Sequence, residues 1–255
     1  MDLTKGNIIV DNWYELKNFT QARIALGRTG VAIPLKETLQ FRLAHAHARD
    51  AVYSALDLPL LHSGLSEMGL DFLDVHSQAK SRDEYLKRPD FGRTLNNASV
   101  ELLKNIASDK KDIAIVVSDG LSAAAVNAHA VPLLRHLQLL NQKLQYSWTP
   151  IVIVQQGRVA VADEIAELLN ARFVVHLIGE RPGLSSYDSL GAYLTFQPYN
   201  GMTDECRNCI SNIRTEGLAI PIAAEKIMFM VRESFKLGLS GVQLKDTFPG
   251  RLLLD

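Results

Sequence analysis

The sequence has few cysteines, almost no net charge and no long apolar stretch, and each shortage excludes a class of protein. Two cysteines, Cys206 and Cys209, cannot form a disulfide framework, so we expect a reducing compartment. A net charge of -1 argues against nucleic acid and anionic membranes as partners, because nonspecific binding to either needs a basic surplus. No apolar run approaches the roughly 20 residues that span a bilayer, and Met1 to Leu26 lacks the regions of a signal peptide. We therefore expect an intracellular protein.

Motifs of several common enzyme classes are also missing. Neither G-x-G-x-x-G nor G-x-x-x-x-G-K-[ST] occurs, which weakens interpretations as a nicotinamide-binding or nucleoside-triphosphate-binding protein. No serine lies in a G-x-S-x-G elbow. Cys206 and Cys209 have the C-x-x-C spacing of redox and zinc sites. They follow no early strand and have no further Cys or His ligands nearby, so we assign them neither role.

The segment Asp74-Val75-His76 is similar to part of D-x-H-x-x-G, a motif by which some proteins replace the lower axial base of cobalamin with histidine. Here Ala79 stands in place of the glycine. We also predict no α/β context around this segment, and we interpret the match as a coincidence.

The hydrophobic pattern divides the chain near residue 108. Residues 1–108 predict a helical and irregular region, with helices at Asn18–Leu26, at Pro34–Leu56 and from about Asp90 to Ile106. Residues 109–255 alternate short apolar runs with helical segments, which is typical of parallel βαβ units. The predicted strands are Ile113–Val117, Pro150–Val154, Phe173–Ile178 and Gly191–Phe196, and the predicted helices are Leu121–Leu140, Val161–Asn170 and Pro221–Leu237. We predict an α/β fold: a Rossmann-like, doubly wound, mostly parallel sheet with an N-terminal helical region.

Three polar turns follow predicted strands: Ser118–Ser122, Gln155–Val159 and the run from Gly179 to Leu190. The carboxyl ends of parallel strands meet at one edge of an open sheet, which is where ligands bind. We therefore expect the three turns to form the walls of one crevice. For Ser118 and Asp119 an alternative stays open, in which either residue only caps the following helix.

Five segments carry a resemblance to a known family. In their order and spacing they closely resemble the small (light) subunit of ethanolamine ammonia-lyase, and the similarity runs from about Gly27 to about Gly241. The segments are Ser81-Arg82-Asp83-x-Tyr85-Leu86-x-Arg88-Pro89-Asp90-x-Gly92-Arg93, Val117-Ser118-Asp119-Gly120-Leu121-Ser122, Gly157-Arg158-Val159, Gly179-Glu180-Arg181-Pro182-Gly183-Leu184 and Cys209-Ile210-Ser211-Asn212-Ile213.

The resemblance implies an adenosylcobalamin-dependent radical enzyme, a carbon–nitrogen lyase that converts ethanolamine to acetaldehyde and ammonia. In that family a large (heavy) subunit, a TIM barrel, holds ethanolamine, and the Rossmann-like domain of the small subunit closes over the cobalamin at the interface. The implied chain is therefore active only in a hetero-oligomer. Matched motif by motif, the implied cofactor contacts are Val159, Glu180 and Cys209. The resemblance implies no catalytic or metal-ligating residue in this chain and no role for Cys206.

Two other functions stay open: an autonomous Rossmann-type nucleotide-dependent oxidoreductase, and a non-catalytic scaffold subunit. The resemblance implies the bacterial cytoplasm and allows a bacterial microcompartment. Encapsulated members of the family can carry a longer N-terminal extension, whereas Met1 to Thr20 is short and lacks a clear amphipathic helix. The apolar residues Phe41, Leu60 and Leu61 belong either to an exposed interface or to the buried core, and the sequence leaves both alternatives open.

Overall fold

A computed structural model describes residues 8–106 and 109–250, and within these ranges the chain forms seven α-helices and eight β-strands. The strands are β1 (Ile8–Ile9), β2 (Arg28–Thr29), β3 (Phe72–His76), β4 (Lys111–Ser118), β5 (Ile151–Gln155), β6 (Ala171–Gly179), β7 (Leu190–Phe196) and β8 (Arg207–Ile213). The helices are α1 (Leu35–Tyr53), α2 (Leu58–Glu67), α3 (Arg82–Lys87), α4 (Asn97–Ile106), α5 (Ala123–Leu144), α6 (Val161–Leu168) and α7 (Ile220–Leu237).

Six strands form one sheet in the order β3-β5-β4-β6-β7-β8. The first four strands run parallel to one another, and β7 and β8 extend the sheet with antiparallel pairing. The predicted α/β class and mostly parallel sheet are confirmed, while the finer Rossmann-like assignment stays a prediction. The β4–α5–β5 connection leads to one side of β4 and the β5–α6–β6 connection leads to the other. The order of the strands thus reverses around β4, and such a reversal leaves a crevice at the carboxyl ends of the strands.

Both faces of the sheet are covered because the side chains of a strand alternate between its faces. Along β4, Ile113, Ile115 and Val117 pack into a core with α2, α5 and α7, whereas Ala114 and Val116 pack into a second core with α4 and α6. The central strands are apolar on both sides for this reason. They were the strands most clearly predicted from the sequence.

The N-terminal part of the chain differs most from the prediction. No helix forms at Asn18–Leu26: a 3-10 turn covers Tyr14–Asn18, and irregular backbone follows it. The helix predicted from Asp90 begins only at Asn97, after a 3-10 turn at Phe91–Arg93. Leu61 is a core residue, whereas Leu60 and Phe41 are exposed.

Strand β3 corrects two further expectations. It lies before residue 108, in the region predicted to be helical and irregular, yet it pairs in parallel with β5 as an edge strand of the sheet. His76 ends this strand, so the segment Asp74-Val75-His76 does have an α/β context. The glycine of the cobalamin motif is still replaced by Ala79. The domain boundary predicted between residues 108 and 109 stays a prediction, and residues 1–7, 107–108 and 251–255 of the two predicted domains lie outside the described ranges.

The helices of the described ranges include none that is both long and apolar enough to cross a membrane.

Candidate functional site

A cavity of about 260 Å³ opens at the carboxyl edge of the sheet, where β4, β5 and β6 end. Each of the three polar turns predicted to form a crevice contributes to its wall, and side chains from α3 and β7 complete the lining. The lining residues are Tyr85, Gly120, Leu121, Arg158, Val159, Ile178, Gly179, Glu180, Arg181 and Tyr193. The structure thus brings together turns that are far apart in the sequence.

The turns after β4 and β6 touch through their backbones, which is possible because both carry glycine at the contact. A Cβ on Gly179 would lie 2.0 Å from the carbonyl oxygen of Ser122, and a Cβ on Gly120 would lie 2.2 Å from the carbonyl oxygen of Gly179. The N–H of Leu121 donates to the carbonyl oxygen of Gly179 at 2.9 Å. No side chain larger than hydrogen fits at either glycine without moving backbone, so this contact fixes the two turns relative to each other.

Asp119 ties the turn after β4 to the turn after β5. Its buried carboxylate accepts hydrogen bonds from the N–H groups of Gln156 and Gly157, each at 3.1 Å. Burial raises the pKa of Asp119 to about 6, although the Arg82 guanidinium, 3.6 Å away, acts in the opposite direction. The helix cap that was the alternative role for this residue is made instead by Ser122, whose side chain accepts from the N–H of Ala125.

Helix α3, from the first motif of the resemblance, closes the cavity on the side of β5. Arg82 and Arg158 both lie over the ring of Tyr85, at 4.7 and 4.4 Å from its centroid. The Tyr85 hydroxyl donates to the carbonyl oxygen of Gly157 at 3.3 Å, and burial raises its pKa to about 12. The N–H of Arg158 donates to the carbonyl oxygen of Gly92 at 2.7 Å. These contacts hold Arg158 and Val159 at the rim.

Glu180 reaches from the end of β6 across β7 towards β8. Its Oε2 accepts a hydrogen bond from the Ser189 hydroxyl and another from the N–H of Asn212 at 3.1 Å. The side chain passes over Gly191, where a Cβ would lie 3.1 Å from its Cγ and from its Oε1. The carboxylate is therefore oriented by two neighbouring strands before any ligand is present.

Cys209 lies one strand away from the cavity lining. It pairs with Tyr193 across β7 and β8, and Tyr193 lines the cavity. Cys209 is an exposed residue, but the protein around its thiol removes hydration and raises its pKa, and the Glu180 carboxylate acts in the same direction. Of the three residues implied by the resemblance, Val159 and Glu180 line the cavity and Cys209 supports its wall.

His176 belongs to the site but was not singled out from the sequence. It is 1% exposed in the middle of β6, with Nε2 2.6 Å from the Ser118 hydroxyl and Nδ1 3.2 Å from the carbonyl oxygen of Val159. Burial lowers its pKa to about 3, so the imidazole is neutral near pH 7. A neutral ring that donates from Nδ1 to Val159 can accept from Ser118 at Nε2. The only sequence signal was a histidine inside the apolar run Phe173–Ile178.

The described ranges hold no group of three or more His, Cys, Asp or Glu side chains that could bind a metal ion. The cavity lining contains one carboxylate, two arginine side chains, two tyrosine side chains and apolar surface. This set of groups is suited to binding and orienting a ligand.

Comparison with known proteins places the chain in a family. The family described as "Ethanolamine ammonia-lyase light chain (EutC)" matches residues 10–245. A protein of Pseudomonas putida (strain W619) named "Ethanolamine ammonia-lyase small subunit" is 52% identical over 239 residues, which cover 92% of this chain and 87% of that protein.

Relatives from other species carry the same name. The protein from Pseudomonas syringae pv. tomato is 52% identical over 92% of this chain and 83% of its own length, and the protein from Pseudomonas aeruginosa (strain LESB58) is 52% identical over 92% and 87%. The match covers every turn that lines the cavity. The chain belongs to the ethanolamine ammonia-lyase light chain family.

Proposed function

We propose that this chain is the small subunit of an adenosylcobalamin-dependent ethanolamine ammonia-lyase, which with a large subunit converts ethanolamine to acetaldehyde and ammonia. The large subunit holds ethanolamine, and this chain contributes part of the cobalamin site. The enzyme is located in the bacterial cytoplasm. One observation carries the proposal for the site. Val159 and Glu180, assigned to the cofactor by separate motifs, line the same cavity.

The chemistry of the lining fits one edge of a corrinoid. A corrin ring has primary amides around its rim and apolar methyl groups between them, and the cavity presents a carboxylate beside the apolar side chains of Val159, Leu121 and Ile178. A volume of about 260 Å³ is below the roughly 300–1,000 Å³ of pockets that enclose drug-sized ligands, and a corrinoid is larger than these. The cavity therefore accommodates only an edge, and the remaining contacts come from the partner.

Glu180 has the most specific role in this proposal. Both bonds from the protein end on Oε2, and we assign Oε1 as the acceptor of an amide N–H of the ligand. Val159 supplies an apolar contact, and the Tyr193–Cys209 pair forms the wall beside Glu180. When bound, adenosylcobalamin supplies the radical chemistry of the reaction. The residues of this chain bind it, orient it and exclude water from its edge.

Phosphate ligands are a poorer match for the same edge. Asp119 occupies the N–H groups of Gln156 and Gly157, which a phosphate would otherwise use, and Glu180 places a carboxylate in the lining. This arrangement disfavours the nicotinamide-dependent oxidoreductase as an alternative function.

Reconstitution tests the proposal. The large subunit is assayed alone and with this chain for release of ammonia from ethanolamine, and the visible absorption of bound cobalamin is recorded after gel filtration. We expect activity and full retention of cobalamin only with both chains. Full activity of the large subunit alone would overturn the proposal. If activity requires this chain but the large subunit retains cobalamin without it, the chain is a scaffold. Stoichiometric binding of NAD by the isolated chain would identify an oxidoreductase.

A further inference from the structure

Helix α1 carries its large apolar side chains on the outside of the molecule. Leu35, Leu39 and Leu43 are spaced four residues apart, so they form one stripe along the helix. Their exposed fractions are 73%, 53% and 58%. We call these three residues the leucine stripe.

The opposite face of α1, which faces the rest of the protein, carries small side chains. Ala51 is buried, and Ala44 and Ala48 on the same face are half-buried against the body of the protein, where α1 packs on α5. A surface helix of an isolated protein has the reverse arrangement, with its large apolar residues inward and polar residues outward. The leucines are therefore placed for contact with a surface that this chain does not supply.

The leucine stripe is part of a larger apolar region. Most of the exposed large apolar side chains in the described ranges lie between residues 8 and 53, and Trp13, Phe19 and Val31 are among the most exposed. Exposed large apolar side chains that concentrate in one part of a protein mark an interaction site.

Helix α1 also contacts the loop that follows Glu180. The His47 ring stacks on Tyr187, with ring centroids 5.6 Å apart, and Arg23, which lies over Phe41 of α1, donates to the carbonyl oxygen of Leu184 at 3.4 Å. Helix α1 is therefore joined to the loop that leaves the cavity at Glu180 and Arg181. A partner that docks on α1 lies next to this loop.

We propose that the leucine stripe of α1 docks on an apolar surface of the large subunit. The inference rests on the proposed function, in which the large subunit completes a cavity too small to enclose the cofactor. Because α1 is fixed to the loop after Glu180, the docked helix also sets the position of that loop. Formation of the complex and completion of the cofactor site are then one event.

The test uses the full-length chain with Leu39→Asp and Leu43→Asp together. Each leucine that loses its apolar contact weakens association by roughly a factor of ten, and a buried aspartate adds to this loss. We expect the affinity for the large subunit, measured by analytical ultracentrifugation, to fall at least about 100-fold. The matched control is Leu139→Asp, a leucine on α5 that is 54% exposed and lies outside the apolar region, and it should associate like the wild type.

Circular dichroism and thermal unfolding of the isolated variants establish that they fold, which we expect because the substituted positions are exposed. Unchanged association of the folded double variant would overturn the inference and leave the proposed function standing. Failure of the wild-type chain to bind the large subunit would overturn both. Dimerisation of the wild-type chain alone, abolished in the double variant, would identify a second copy as the occupant and would also overturn the inference.

Discussion

Nδ1 of His176 lies 3.2 Å from the carbonyl oxygen of Val159, so a buried imidazole in β6 holds the turn that follows β5. The same ring accepts from Ser118 at the end of β4. One side chain of β6 thereby connects the end of β4 to the turn after β5. Val159 is therefore positioned by a buried residue that does not line the cavity.

Replacing His176 with leucine should loosen this turn. The carbonyl oxygen of Val159 and the hydroxyl of Ser118 both lose their partner in a buried setting, and each unsatisfied group costs about 1–3 kcal/mol. We expect the free energy of unfolding, measured in urea, to fall by about 2 kcal/mol or more. We also expect the complex to bind cobalamin more weakly with little change in turnover at saturation.

The control for this substitution is Ser234→Ala in α7. Ser234 is equally buried, but its hydroxyl has no hydrogen-bond partner within the described part of the chain. Removing it should leave stability almost unchanged. Equal losses in the two variants would show that burial alone, and not the bonds of His176, determines the effect.

The pH dependence of stability should carry the signature of His176. Burial lowers its pKa from 6.5 to about 3, so between these values the unfolded chain binds a proton that the folded chain does not. The contribution of this residue is therefore present above pH 6.5 and is lost as the pH falls towards 3. The difference in unfolding free energy between wild type and His176→Leu should shrink by up to about 1.4 kcal/mol per pH unit. A constant difference across this window would contradict a neutral buried imidazole.

Asp119 should show the opposite trend. Burial raises its pKa from 3.8 to about 6, so its contribution is largest below pH 3.8 and is lost as the pH rises through 6. The difference in unfolding free energy between wild type and Asp119→Asn should therefore fall as the pH rises through this window, measured by urea unfolding at several pH values. Asp112 offers the contrast: bonds from Ser147 and Arg172 lower its pKa, so Asp112→Asn should not reproduce this trend.

The sequence predicted the central part of the sheet and the position of the cavity because both depend on local patterns. β4, β5 and β6 are continuous apolar runs, and each ends in a turn rich in glycine or polar residues. The edge strands β3 and β8 were missed because Asp74 and Asn208 interrupt their apolar patterns, as is common where one side of a strand meets solvent.

Other features depend on contacts between distant residues and have no local signal. His176 is important through Ser118 and Val159, which lie on other elements, and a histidine in an apolar run does not reveal these partners. The helix expected at Asn18–Leu26 fails for a related reason. Its segment makes hydrogen bonds to residues far along the chain: the Gln21 side chain donates to the Glu216 carboxylate, and the Arg23 side chain donates to the backbone carbonyl oxygen of Leu184.

The contact between the turns after β4 and β6 should be intolerant of any side chain at Gly179. In Gly179→Ala the new methyl group would lie 2.0 Å from the carbonyl oxygen of Ser122, and relief requires movement of backbone. We expect a loss of about 3 kcal/mol in unfolding free energy and weaker binding of cobalamin. Gly183→Ala is the control, because its methyl group would meet only the Ser186 hydroxyl, which can rotate away. A stable Gly179→Ala variant would show that the two turns can separate.

Glu180→Gln should separate binding of the cofactor from folding. Glutamine keeps the shape of the side chain and an oxygen acceptor but removes the negative charge. A hydrogen bond to a charged carboxylate contributes about 1.5–3 kcal/mol, whereas a bond to a neutral acceptor contributes about 1 kcal/mol. We therefore expect the complex with the large subunit to bind cobalamin about tenfold more weakly in a spectroscopic titration. The variant should remain folded with a slightly lower melting temperature, because the bonds from Ser189 and Asn212 lose the charge but keep an oxygen acceptor. Glu101→Gln, at an exposed position of α4, is the matched control and should bind like the wild type. If both variants bind cobalamin equally well, the carboxylate of Glu180 does not contact the cofactor, and the bonds from Ser189 and Asn212 serve only to join β6 to β7 and β8.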